Sequence, residues 1–234
     1  MQVGVIAEGR SDHAVIANIL KGKLGIDRAL ITFIQPELYY DETDLQSGRY
    51  KQMGRNEFGS WILVKDCCLE RSRIAEFLDA TDETRIVIIQ IDTAEAHLEG
   101  YEVEKPDKSS ETYSGTLREN VIAKISGWLD GQFSEYLFYA VTIEEIEAWL
   151  LPVFGERATE TAKFNDPKNR FQSLLNTKLS DKERKKLFQD EPFERYLKLS
   201  KDFRNKKLLE KHCQQNESLL IFCKSLENVD TSEL

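Results

Sequence analysis

Acidic side chains stand at three points where apolar runs stop. Glu8 and Asp12 lie in "VIAEGRSD", Asp92 closes "VIIQID", and Glu144, Glu145 and Glu147 follow "FYAVT". Carboxylates gathered at adjacent strand ends repel one another and need a cation. Magnesium takes oxygen ligands from a few carboxylates, water and substrate phosphate, so a Mg2+ or Mn2+ site drawing on these acids is expected. Capping of the following helix is the competing role for Asp12 and Glu145. Capping explains Glu8 poorly, because it directly follows the apolar run and precedes Gly9.

The elements that must position these acids follow from hydrophobic periodicity. Val3 to Ala7 reads as a buried strand and His13 to Leu20 as a helix, so Glu8 to Asp12 form the strand-to-helix turn between them. In an open α/β sheet such turns, at the carboxyl ends of strands, are where ligands bind. "ALITFIQPEL" predicts a strand stopped by Pro36, and "YYDETDLQSGRYKQMGRNEFGS" a polar connection able to reach a ligand. "WILVKDCCLERSRIAEFLDA" carries helical spacing, "TRIVIIQID" a strand buried on both faces, "TLRENVIAKISGWL" a helix and "EYLFYAVT" a further strand. "IEEIEAWLL" predicts a helix ended by Pro152. Strands alternating with helices give an α/β fold with a mostly parallel sheet over residues 1–155, and the charged, helix-forming sequence of residues 156–234 a helical C-terminal subdomain.

Composition narrows the function classes. The net charge of −9 gives no general attraction for nucleic acid and argues against a nonspecific coating protein, leaving a local basic surface or bridging metal as the route to such a partner. Lys201, Arg204, Lys207 and Lys211 recur at intervals of three or four and predict a basic helix face able to follow a phosphate backbone. Asp202 and Glu210 in the same stretch favour the plainer role of a solvated face. Cys67, Cys68, Cys213 and Cys223 form no CxxC pair, so they are expected to be reduced thiols. His13, His97 and His212 lack ligand spacing and are expected on surfaces or helix faces. Trp128 and Trp149 are expected in the core. Without a run of about 18 apolar residues or a leader pattern, a cytoplasmic protein with no membrane partner is expected. A phosphotransfer enzyme would use similar carboxylates, but the chain carries no GxxxxGK[ST] loop.

The order "hhhhEGxSD" and then "hhhhD" resembles the TOPRIM domain shared by topoisomerases, primases, OLD-family nucleases and ribosomal-RNA maturation nucleases. "VTIEEIEAWLLP" resembles a segment of small stand-alone TOPRIM-like proteins from phage-defence loci. The resemblance implies a Mg2+- or Mn2+-dependent nuclease cutting DNA or RNA, of a phage-defence or toxin type, with a separate ATPase or sensor as partner. It implies that Glu8 is the general acid/base or metal-ligating glutamate, Asp12 its supporting acid, Asp92 the first aspartate of a DxD pair and Glu147 an additional ligand, with Glu144 and Glu145 as its alternatives. Ala94 stands where the second aspartate belongs, and Glu95 is expected to point to a different side of the backbone. Positions 92 and 94 are expected to share one side of an extended segment. The missing acid implies either a nuclease disabled at Ala94 or a noncatalytic TOPRIM-fold binding module.

Overall fold

The computed structural model describes residues 1–36, 60–80, 83–155 and 166–229. Four parallel strands, β1 (Gln2–Ile6), β2 (Ile31–Gln35), β3 (Arg85–Asp92) and β4 (Leu137–Thr142), form one sheet in the order β2-β1-β3-β4. Each is a short run of β-branched and aromatic residues, as suits a strand covered on both faces. Alternation divides them: Val3, Val5, Ile88 and Ala140 enter one hydrophobic cluster, and Ile6, Val87, Ile89, Ile91 and Val141 the other.

Helices α2 (Trp61–Glu70), α3 (Ser72–Asp79) and α4 (Tyr113–Trp128) cover the second face. The segment 61–80 predicted as one helix is two, because Arg71 takes a left-handed conformation (φ 59°) and ends the first. The other face is covered by α1 (Arg10–Leu24), by the short α5 (Glu147–Leu150), and by α6 (Pro167–Lys178), α8 (Pro192–Leu199), α9 (Lys206–Cys213) and α10 (Glu217–Ser225). Between α6 and α8 lies α7 (Asp181–Gln189), opened by a Ser180–Glu183 capping box. Phe171, Leu199, Phe203, Leu209 and Phe222 share a cluster with Val3, Val5 and Trp149, so the C-terminal helices complete a layer of the sheet and are not insulated from it. Trp128 and Trp149 are both buried.

Two local expectations are corrected. The helix predicted from "IEEIEAWLL" begins only at Glu147, because Glu144 has a positive φ (66°) and its carbonyl accepts from Thr93 N and Ala94 N at 3.0 and 2.9 Å, prolonging the β3–β4 pairing past Thr142. The predicted basic helix is also broken. Lys201 and Arg204 lie on a 3-10 turn, and Asn205 starts α9 by accepting from Lys207 N and Leu208 N. The polar connection of residues 39–60 falls almost entirely outside the described residues.

Candidate functional site

The chain leaves β1 for β2 on one side and later returns to place β3 on the other. The β1/β3 boundary is therefore the point where strand order reverses, the position outside the carboxyl ends at which open α/β sheets bind ligands. Glu8 and Asp92 stand at this boundary. Glu8 Oε1 accepts from Asp92 N at 2.7 Å, and Glu8 N donates to Gln90 Oε1 at 3.2 Å. Gln90 is fully buried, and its Nε2 donates to Asp92 Oδ1 at 2.8 Å. Register places Thr142 opposite Asp92, and its hydroxyl donates to the same Oδ1. Tyr101 completes the frame through its hydroxyl to Asp92 O at 3.2 Å.

Asp12 occupies the third position of α1, where the Gly9 and Asp12 backbone N–H groups favour its charged form. That is the capping role. It does not use the whole carboxylate, since Oδ1 is buried with no hydrogen-bond partner. Glu147, at the first position of α5 and 5% exposed, accepts from the Tyr196 hydroxyl at 2.5 Å. Glu145 accepts from Lys168 N at 3.2 Å.

Burial and mutual repulsion raise the proton affinity of the cluster. Glu8 is pushed up to about 8, first by burial, with Asp12, Glu95 and Glu145 adding to it against the Asp92 N–H bond. Burial and then Glu147 push Asp12 up to about 7. Asp92 lies well above the usual carboxylate range through burial, Glu8 and Asp12, partly offset by Thr142. Glu145 is raised by burial and by Glu147. Glu95, expected to turn away, is exposed and close enough for its charge to act on Glu8.

Glu144 takes no part in this cluster. It is 7% exposed and meets Lys108 Nζ at 2.9 Å, Lys105 Nζ at 3.2 Å and the Tyr113 hydroxyl at 3.4 Å. Lys105 Nζ also donates to Ala94 O at 3.0 Å. Ala94 sits in a turn, because β3 ends at Asp92. Positions 92 and 94 therefore do not share one side of an extended segment.

The other predicted residues lie elsewhere. Lys201, Arg204, Lys207 and Lys211 are exposed, and their segment reaches α1 at Gly22, where a Cβ would fall 1.9 Å from Phe203 O. Ten residues of helix put Gly22 about 15 Å along the axis from Asp12, toward the opposite rim of the sheet. His13 and His212 lie on helices α1 and α9, among the helix-face positions expected for them, and both are buried. His13 Nε2 pairs with Gln35 O at 2.8 Å, and its ring packs on Phe33.

Sequence reasoning missed Gln90, Thr142 and Tyr196. Gln90 had a readable signal: it is a polar residue inside a buried strand, two positions before Asp92 and so on the same face. Nothing local marks Tyr196.

A hard divalent cation suits this donor set. Its atoms are all oxygen, and Asp12 Oδ1 is buried without a hydrogen-bond partner, the Lys168 charge only partly offsetting burial and Glu147. Among the described residues no group of three or more acidic, histidine or cysteine side chains is placed to hold a metal ion by itself. Magnesium is usually held by one or two carboxylates with water and phosphate, so an open set of acids remains suitable. Comparison with family models, with curated proteins and with solved structures returned no match.

Proposed function

We propose that this chain is a TOPRIM-like, metal-dependent nuclease that cleaves phosphodiester bonds of DNA or RNA. The observation that carries this reading is the cluster at the strand-order reversal: Glu8, Asp12, Asp92 and Glu147, buried or half-buried, with Asp12 Oδ1 unpartnered. Glu8, Asp92 and Glu147 would hold Mg2+ or Mn2+, with Asp12 contributing its free oxygen. A bound divalent ion supplies a seat for the scissile phosphate and lowers the pKa of an attacking water.

The chain's own residues have separable tasks. Gln90 and Thr142 both bind Oδ1 of Asp92 and so fix the orientation of that carboxylate. The Asp92 N–H engages Oε1 of Glu8, which makes Oε2 the oxygen available to hold or pass a proton. A separate ATPase or sensor and a phage-defence or toxin role accompany this reading through the motif resemblance alone.

Ala94 favours a second reading, a noncatalytic binding module of the same fold, because that position offers no carboxylate. One experiment separates the two. Labelled DNA and RNA are incubated with the chain, with Glu8→Gln and with Asp92→Asn in Mg2+ or Mn2+, beside calorimetric Mn2+ titration. Metal-dependent cleavage by the unaltered chain alone supports the nuclease. Metal binding without cleavage supports the module, and absence of Mn2+ binding refutes the metal site.

A further inference from the structure

The C-terminal helices reach the acidic cluster through one side chain. Tyr196 projects from α8, and its hydroxyl donates to Glu147 Oε1 at 2.5 Å, at the short end of the O–H···O range. Asp12 and Glu147 both act electrostatically on this hydroxyl, so it sits where the acids of α1 and α5 meet. Its placement is fixed by buried polar groups. Asn18 of α1 donates to Leu197 O at 3.0 Å and to Ser200 Oγ at 2.7 Å, and Ser200 Oγ donates to Tyr196 O at 2.6 Å. The helix bearing Asp12 is thereby tied to the helix bearing Tyr196.

We propose that Tyr196 is a positioning residue of the metal site: its hydroxyl holds the Glu147 carboxylate oriented beside Asp12, so that residues 166–229 complete the site as well as covering the sheet. This inference rests on the metal-dependent reading above. Hydrogen-bond partners of metal-ligating carboxylates typically contribute a factor of about 10–100 to metal affinity. A role limited to packing would instead reside in the tyrosine ring, which phenylalanine retains.

The test is calorimetric Mn2+ titration of the full chain, of Tyr196→Phe, of Glu147→Gln and of the double variant, with thermal melts of each metal-free protein. Tyr196→Phe is expected to lose about 10-fold or more in Mn2+ affinity with little change in Tm, and to add no loss once Glu147 is glutamine. Unchanged affinity in Tyr196→Phe, or an equal loss in the Glu147→Gln background, overturns the positioning role and leaves the metal site standing. Failure of the unaltered chain to bind Mn2+ overturns both.

Discussion

Two acidic regions on the same rim of the sheet are treated in opposite ways. Glu144 is nearly as buried as Glu147 and Asp12, yet it has two lysines and a tyrosine hydroxyl around it. A few residues away, Glu8, Asp12 and Asp92 repel one another, and Asp12 keeps an oxygen with no partner. A buried charge is tolerated when it is paired, and leaving it unpaired costs several kcal/mol. The first region is therefore a finished structural ion pair. The second is a set of mutually repelling carboxyls, with Lys168 only partly offsetting the charge around Asp12.

The largest effect that would sharpen this contrast is expected at Glu8 and Asp92. Glu8→Gln or Asp92→Asn should reduce metal-dependent cleavage by more than about 100-fold, the upper end of what loss of a ligand's hydrogen-bond partner costs. The same variants should melt higher than the parent without metal at pH 8, by about 2–4 °C for each kcal/mol of relieved repulsion. A folded variant with full activity, or a variant that melts lower with no specific loss of activity, would make these residues structural.

The pH dependence of stability should follow the same contrast. Glu8 and Asp12 bind protons more tightly in the folded chain, at about 8 and about 7 against ordinary values of 4.5 and 3.8. Across that window the folded state carries more protons than the unfolded one, so stability falls as pH rises through it. Melts of the metal-free chain at about pH 5 and about pH 8.5 should show the decline, and saturating Mg2+ should flatten it. An equal slope with and without Mg2+ would mean that no cation enters the cluster.

The paired region should respond in the reverse sense. Lys105→Met leaves Glu144 with one lysine and should destabilise the chain by about 1–3 kcal/mol, with Mn2+ affinity unchanged in calorimetry. A loss of Mn2+ affinity would merge the two regions into one site. Ala94→Asp probes their border: Lys105 lies 3.0 Å from Ala94 O and should capture much of the new charge, limiting any gain in Mn2+ affinity to less than about 10-fold, or 1.4 kcal/mol. A larger gain, with new cleavage, would show that position 94 addresses the same ion as Asp92.

The smallest effect is expected at the far end of α1. Replacing exposed Lys201, Arg204, Lys207 and Lys211 by alanine should change stability by no more than about 0.5 kcal/mol each and leave Mn2+ affinity unaltered. Nucleic-acid binding with an unchanged salt slope would assign these residues to a solvated face, whereas a flatter slope would restore their phosphate contacts.

The sequence by itself determined which segments become strands and where they stop. "VGVIA", "ITFIQ", "RIVIIQID" and "LFYAVT" are local patterns of apolar and β-branched residues, and their alternation with helices specifies a parallel sheet. It therefore also determined that Glu8 and Asp92 lie at carboxyl ends, because each directly follows or closes its own run. Only the tertiary structure decided which acids share a site. Strand order put β1 beside β3, and a positive φ at Glu144 handed that residue to Lys105 and Lys108 while sending Glu147 inward. The close approach at Gly22 placed the basic stretch toward the rim opposite Asp12, and α8 brought Tyr196 to Glu147 across 49 positions of chain. Hydrophobic periodicity is written within a few consecutive residues, but the pairing or isolation of a buried charge depends on neighbours supplied from distant segments.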